Sequence, residues 1–79
     1  MNYVLVKFAK LDMCDLGLLK IENDVYTPLY ITYKKNKKEW VKVIKYTPNI
    51  ITFSELLKTN RGCLIEEYKN LEELIKKFL

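Results

Sequence analysis

Residues 29–46 have the sequence LYITYKKNKKEWVKVIKY, in which two runs of aromatic and β-branched residues flank a polar loop centred on Asn36. Such runs favour strands, and the polar loop between them predicts a β-hairpin. The same segment carries six lysines against one glutamate, a net charge of +5, whereas the whole chain carries +4. The hairpin is therefore the electrostatically distinct part of the sequence.

The length of the hairpin loop decides which residues share a face, because side chains alternate along a strand. With an odd loop such as 35–37, Ile31 and Val41 share one face. The other face then interleaves aromatic rings, among them Tyr30, Trp40 and Tyr46, with lysines. Either it is an open surface of the kind that stacks bases, or it is half covered and its lysines only keep the edge soluble. With a two-residue turn beginning at Asn36, Trp40 joins the core instead. The lack of glycine after Asn36 favours the longer loop.

Alternating and apolar patterns in the first part of the chain predict further strands. Residues 2–10 and 16–22 each have the composition of a strand with paired neighbours. Asn23 and Asp24 follow the second of these strands, and their residue types predict a turn. A short extended piece is predicted after it, at 25–27.

Two helices are predicted in the last third of the chain. Thr52, with a glutamate three residues later, forms a capping-box pattern that predicts a helix over 53–60. Asn70 precedes residues 71–79, whose apolar positions recur at helical spacing, with acidic residues in the first turn and lysines in the last. Residues 63–68 predict a short strand, with a helical continuation as the alternative.

The predicted order of elements is β-β-β-β-α-β-α over a single small domain, 1–79. Strands followed by helices indicate an α+β fold, with a mostly antiparallel sheet of four to five strands and two short C-terminal helices packed on it. A chain of 79 residues buries only about 60% of its unfolded surface, so homodimerisation is a further expectation.

The residue types argue against catalysis. The chain has no histidine, which removes the commonest general base and metal ligand, and its two glycines cannot form a phosphate-binding loop. Cys14 and Cys63 lack a neighbouring base and are expected to be reduced, buried thiols. The alternative is a disulfide between them. Asp12 and Asp15 supply too few oxygen ligands for a hard cation. We expect no enzyme activity, no cofactor and no metal.

The expected location is the cytoplasm, because the N-terminus lacks the apolar core of a signal peptide and no apolar run is long enough to span a membrane. Exposed aromatic rings and lysines make the hairpin the expected binding site, either for a protein with an acidic surface or, alternatively, for nucleic acid. The candidate partner-binding residues are Tyr30, Tyr33, Lys34, Lys35, Lys37, Lys38, Trp40, Lys42 and Tyr46.

No motif identifies a family. The small size, the lack of catalytic residues and the abundance of amino acids with AT-rich codons resemble the profile of small inhibitors encoded by phages and mobile elements. Some of those proteins block host defence nucleases. The resemblance implies an inhibitor that occludes a surface of a host protein, since mimics of nucleic acid are strongly acidic and this chain is basic.

Overall fold

In the computed structural model, which describes residues 2–9, 11, 13–47 and 51–79, the chain forms a five-stranded antiparallel sheet with two α-helices. The strands are β1 Asn2–Lys7, β2 Cys14–Glu22, β3 Val25–Tyr33, β4 Val41–Lys42 and β5 Cys63–Tyr68. The helices are α1 Phe53–Lys58 and α2 Leu71–Phe78. The strands lie in the order β4-β3-β2-β1-β5. The predicted α+β class, antiparallel sheet and element order are confirmed.

A tight turn joins β2 to β3. Asn23 and Asp24 both have left-handed backbone angles, with φ of 50° and 63°, which is the geometry of a two-residue hairpin turn and which these residue types tolerate. The predicted turn is confirmed. Strand β3 continues from Val25 to Tyr33, so the short extended piece predicted at 25–27 is the start of that strand.

The turn between β2 and β3 is hydrogen-bonded to the N-terminal residues of α1. The Asp24 carbonyl oxygen accepts a hydrogen bond from the Phe53 N–H at 2.8 Å. The carboxylate accepts from both the N–H and the hydroxyl of Ser54, at 3.0 and 2.7 Å. These bonds from Ser54 hold the pKa of the Asp24 carboxyl below its ordinary value, and the charge of Lys58 contributes in the same direction.

Replacing Asp24 with asparagine is therefore expected to lower Tm at neutral pH but not in acid. Asparagine keeps an acceptor oxygen and tolerates left-handed backbone, so the change isolates the negative charge. Because folding lowers this pKa, the charge stabilises the fold above the pKa of an unfolded aspartate, and that contribution is lost as pH falls through the folded value. Thermal unfolding of both chains from about pH 7 to about pH 2 measures the effect. A difference in Tm that persists in acid would contradict it.

The two helices pack on opposite faces of the sheet. On the first face, Leu56 of α1 packs with a cluster formed by Val4, Val6, Phe8, Leu19 and Tyr26. On the second face, Leu74 of α2 packs against Leu5 and Leu18. Both faces of the central strands are therefore buried, which explains why β1 is apolar at consecutive positions.

Local capping signals fix the helix starts. The Thr52 hydroxyl accepts from the Glu55 N–H at 3.2 Å, and the Asn70 side chain accepts from the Glu73 N–H at 2.8 Å. Helix α1 ends at Lys58, two residues before the predicted end. The predicted end was wrong because the chain leaves the helix by a left-handed residue, Asn60, with φ of 58°. Residues 63–68 form the predicted strand, not the helical alternative.

The hairpin has the register of an odd loop. Tyr30 lies opposite Lys42. Ile31 lies opposite Val41, so the pairing is centred on Asn36. The alternative with an odd loop is confirmed and the two-residue turn is wrong.

The second strand of the hairpin is much shorter than its sequence suggests. The loop covers residues 34–40, opening with a single 3-10 turn at Lys34–Asn36, and β4 has only the two residues Val41–Lys42. Beyond it, the Val43 N–H donates to the Leu29 carbonyl at 2.8 Å. Residues 43–47 then run outside the regular sheet, which opens space over the first face.

Candidate protein-binding surface

The tip of the hairpin carries four lysines, named here the tip lysines: Lys34, Lys35, Lys37 and Lys38. Every residue from 34 to 39 is exposed, and the loop is closed by a hydrogen bond of 2.9 Å from the Glu39 N–H to the Asn36 carbonyl. Among the described residues, the ion pairs are Lys20 with Glu22 and Lys77 with Glu66. Neither pair involves a tip lysine, so the positive charge of the tip faces solvent.

Of the four predicted aromatic residues, Tyr33 alone adjoins the tip lysines, lining a small depression with Lys34 and Lys35. Trp40 packs edge-to-face on Phe78 of α2, with ring centroids 6.0 Å apart, and Tyr30 packs in the same second-face cluster. Helix α2 therefore covers the face that was expected to mix rings with lysines. Lys42 is exposed, and Tyr33 is half-buried at the end of β3.

Tyr46 lies on the opposite face from Trp40. The regular strand stops at Lys42, so the alternation that placed Tyr46 with Trp40 does not extend that far. The Tyr46 ring packs against Tyr26 on the first face, with centroids 6.3 Å apart at a tilt of 46°. Tyr46 thus helps to build the first-face cluster.

A pocket of about 670 Å³ opens between residues 43–47 and the first face of the sheet; we call it the first-face pocket. It lies within the range of about 300–1,000 Å³ that is typical of ligand sites. Its walls are apolar and aromatic, and include Phe8, Tyr26, Ile31, Val43, Tyr46 and Leu56. The pocket exists because β4 ends early and its continuation crosses above the sheet.

Among the described residues that line this pocket, those with a formal charge are all cationic. Lys42, Lys45 and Arg61 are exposed at its mouth, and no described lining residue is an aspartate or glutamate. Burial and a hydrogen bond with Tyr46 raise the pKa of Tyr26 to about 12, against the opposing effect of Arg61. The Tyr26 hydroxyl is therefore neutral at physiological pH, and the pocket combines apolar walls with a positive mouth.

Exposed apolar residues surround the pocket and extend to the tip. Ile44 is 93% exposed and lies at the pocket mouth with Leu11. Met13, 70% exposed, lines a smaller depression of about 270 Å³ with Lys34 and Lys35. Tyr33 lines both cavities, so the pocket and the tip form one continuous surface.

The candidate binding residues predicted from the sequence did not include Ile44, Leu11 or Met13. The local pattern gives no signal that separates them from core residues, because both faces of the sheet are buried and consecutive apolar residues of β1 are all in the core. In the structure Val43 lines the pocket wall while Ile44 faces solvent.

The side chains with possible chemical roles are the two cysteines and the two aspartates beside Cys14, Asp12 and Asp15. Cys14 and Cys63 are free thiols, so the disulfide alternative is wrong, and Cys63 is exposed where burial was expected. Burial, with the nearby charge of Asp15, raises the pKa of the Cys14 thiol. Asp12 lies outside the described residues. Within the described ranges, no three acidic or cysteine side chains are grouped to bind a metal ion.

In the same part of the chain, no helix is both long and apolar enough to cross a membrane.

Comparison of the chain with protein-family models, curated proteins and solved structures gives no match.

Proposed function

We propose that this chain is a non-enzymatic protein-binding module that acts through its hairpin, residues 29–46, and the adjoining first-face pocket. The observation that carries the proposal is the continuity of these two features: exposed cations that pair with none of the described carboxylates adjoin an apolar cavity and exposed apolar side chains. Protein interfaces combine these elements, with buried apolar anchors at the centre and polar residues at the rim.

The placement of the aromatic rings favours a protein over nucleic acid as the partner. Binding of single strands relies on exposed rings on which bases stack. Trp40 and Tyr30 are packed with α2, which leaves the half-buried Tyr33 as the ring beside Lys34 and Lys35 and so a smaller stacking surface than the sequence predicts. Lysines alone attract an acidic protein surface as well as they attract phosphates, and they raise the rate of association by steering.

Such a module can act as an inhibitor by covering a working surface of its partner, which requires no chemistry of its own. The resemblance in size and composition to inhibitors from phages and mobile elements supports this form of the proposal. The partner would then be a host protein, such as a defence nuclease, with an acidic surface beside the site that is occluded.

The experiment is an affinity capture from the native cell, with the chain as bait and with the extract divided into untreated and nuclease-treated halves. We expect the same protein to be retained from both halves. Retention that disappears after nuclease treatment would contradict the proposal. In that case the chain should bind short single strands with an affinity that falls steeply with salt, as phosphate contacts require.

A further inference from the structure

We propose that the first-face pocket receives a large apolar side chain, preferably aromatic, from an acidic segment of the partner protein, whose flanking carboxylates pair with Lys42, Lys45 and Arg61. This inference rests on the proposed function and specifies its chemistry.

The walls of the pocket select for an apolar group. Phe8 and Leu56 are buried, Ile31 and Val43 are half-buried, and all four present hydrocarbon to the cavity. The Tyr26 hydroxyl is neutral at physiological pH, as tyrosine ordinarily is, and adds no negative charge. An aromatic ring placed here would bury its faces against these side chains, which is how interface hot spots are built.

The mouth of the pocket selects for negative charge beside that ring. Lys42, Lys45 and Arg61 are exposed there and have no ion pair within the described part of the chain. Carboxylates on the residues before and after the anchor would therefore meet cations instead of like charges. Because these groups remain near solvent, they contribute mainly to the choice of partner and to the rate of binding.

The surroundings of the pocket favour a polypeptide over a small molecule. Ile44 and Leu11 stand at the mouth and Met13 beyond it, all exposed. A small acid confined to the pocket would leave them in water. An extended segment that enters at the pocket and continues past Tyr33 towards the tip lysines would cover them, and exposed apolar patches of this kind mark protein contacts.

The test uses the full chain and three labelled synthetic peptides, with binding followed by fluorescence anisotropy. The first peptide has a central tryptophan flanked by aspartates and glutamates. The second replaces the tryptophan with serine, and the third replaces the acidic residues with lysine. We expect the first to bind at least about tenfold more tightly than either of the others.

Two matched variants locate the site. Ile44→Asp places a carboxylate at the pocket mouth, whereas Val25→Asp makes the same change at another exposed apolar residue, one that does not line the pocket. Both side chains are mostly exposed, so both variants should stay folded, with the lower Tm for Val25→Asp because its carboxylate lies opposite Glu22 across the β2–β3 pair. We expect Ile44→Asp to weaken binding of the first peptide about tenfold and Val25→Asp to leave it within about twofold.

Equal affinity for the tryptophan and serine peptides would overturn the inference, as would equal effects of the two variants. Absence of binding by the first peptide up to millimolar concentration would also overturn it. These failures are distinct from failure of the proposed function. If a protein were still captured from nuclease-treated extract, the proposed function would stand and the contact site would lie elsewhere on the chain. If that capture were lost, the proposed function itself would be wrong.

Discussion

A chain in which all four tip lysines are replaced by glutamine is expected to fold normally and to lose its partner. The four side chains are exposed and pair with none of the described carboxylates, so their charges contribute little to the native state. Exposed substitutions of this kind change the free energy of unfolding by no more than about 0.5 kcal/mol each. Association with an acidic surface depends on the charges directly and should slow by about 10- to 1,000-fold at low salt.

The matched control removes the same charge from elsewhere on the surface. It carries glutamine at four exposed lysines outside the hairpin: Lys7, Lys58, Lys69 and Lys76. Both variants lower the formal net charge from +4 to zero, so a difference between them reports position and not total charge. Capture assays and thermal unfolding on both chains measure the effect. Equal loss of binding would mean that only net charge matters, and a large fall in Tm of the hairpin variant would mean that its lysines serve the fold.

Replacing Leu74 with alanine is expected to give the largest loss of stability. This residue is fully buried and is the point at which α2 enters the second-face cluster with Leu5 and Leu18. Removing a buried leucine side chain costs about 2–5 kcal/mol, and the margin of a chain this small is near the lower end of about 5–15 kcal/mol. Each kcal/mol lowers Tm by about 4–8 °C in a domain of this size.

The control for this substitution is Leu79→Ala, the same chemical change at an exposed position at the end of the chain. Denaturant titration of both variants should show a loss at Leu74 and a change within about 0.5 kcal/mol at Leu79. If the two variants were equally stable, α2 would not be docked on the sheet. In that case Trp40 would lose its contact with Phe78 and would become available to a ligand.

The elements that sequence patterns predicted well are those set by local chemistry. The helix cap at Asn70 could be predicted from the residue type, because the asparagine side chain accepts a hydrogen bond from a backbone N–H three positions along the chain. The turn at Asn23 and Asp24 follows from residue types that tolerate left-handed backbone. The centre of the hairpin at Asn36 was likewise set by the residues on either side of it.

Exposure could not be predicted in the same way, because it depends on contacts between distant parts of the chain. The face occupied by Trp40 was predicted correctly for an odd loop, but whether that face is open depends on where α2 docks, more than thirty residues later. With one helix on each side of the sheet, each face is at least partly covered. The contact of Asp24 with Ser54, thirty residues apart, is of the same kind.

The first-face pocket was also beyond the reach of sequence patterns. Residues 41–46 have the composition of a full strand, yet the regular strand covers only Val41 and Lys42, with one further hydrogen bond from Val43 to β3. Strand composition describes what a segment tolerates, whereas the point at which pairing ends depends on the packing available beyond it. Here Tyr46 turns to pack on Tyr26, and the space beneath the chain becomes the cavity.

The most direct measurement of the central claim is photo-crosslinking in the native cell from two exposed apolar positions. A photoreactive amino acid is placed at Ile44, beside the pocket, or at Ile65, which is 46% exposed on the edge strand β5 away from the hairpin. The account predicts a covalent adduct with a cellular protein from position 44 and none from position 65. Adducts from position 65 alone, or adducts from position 44 that contain nucleic acid instead of protein, would contradict it.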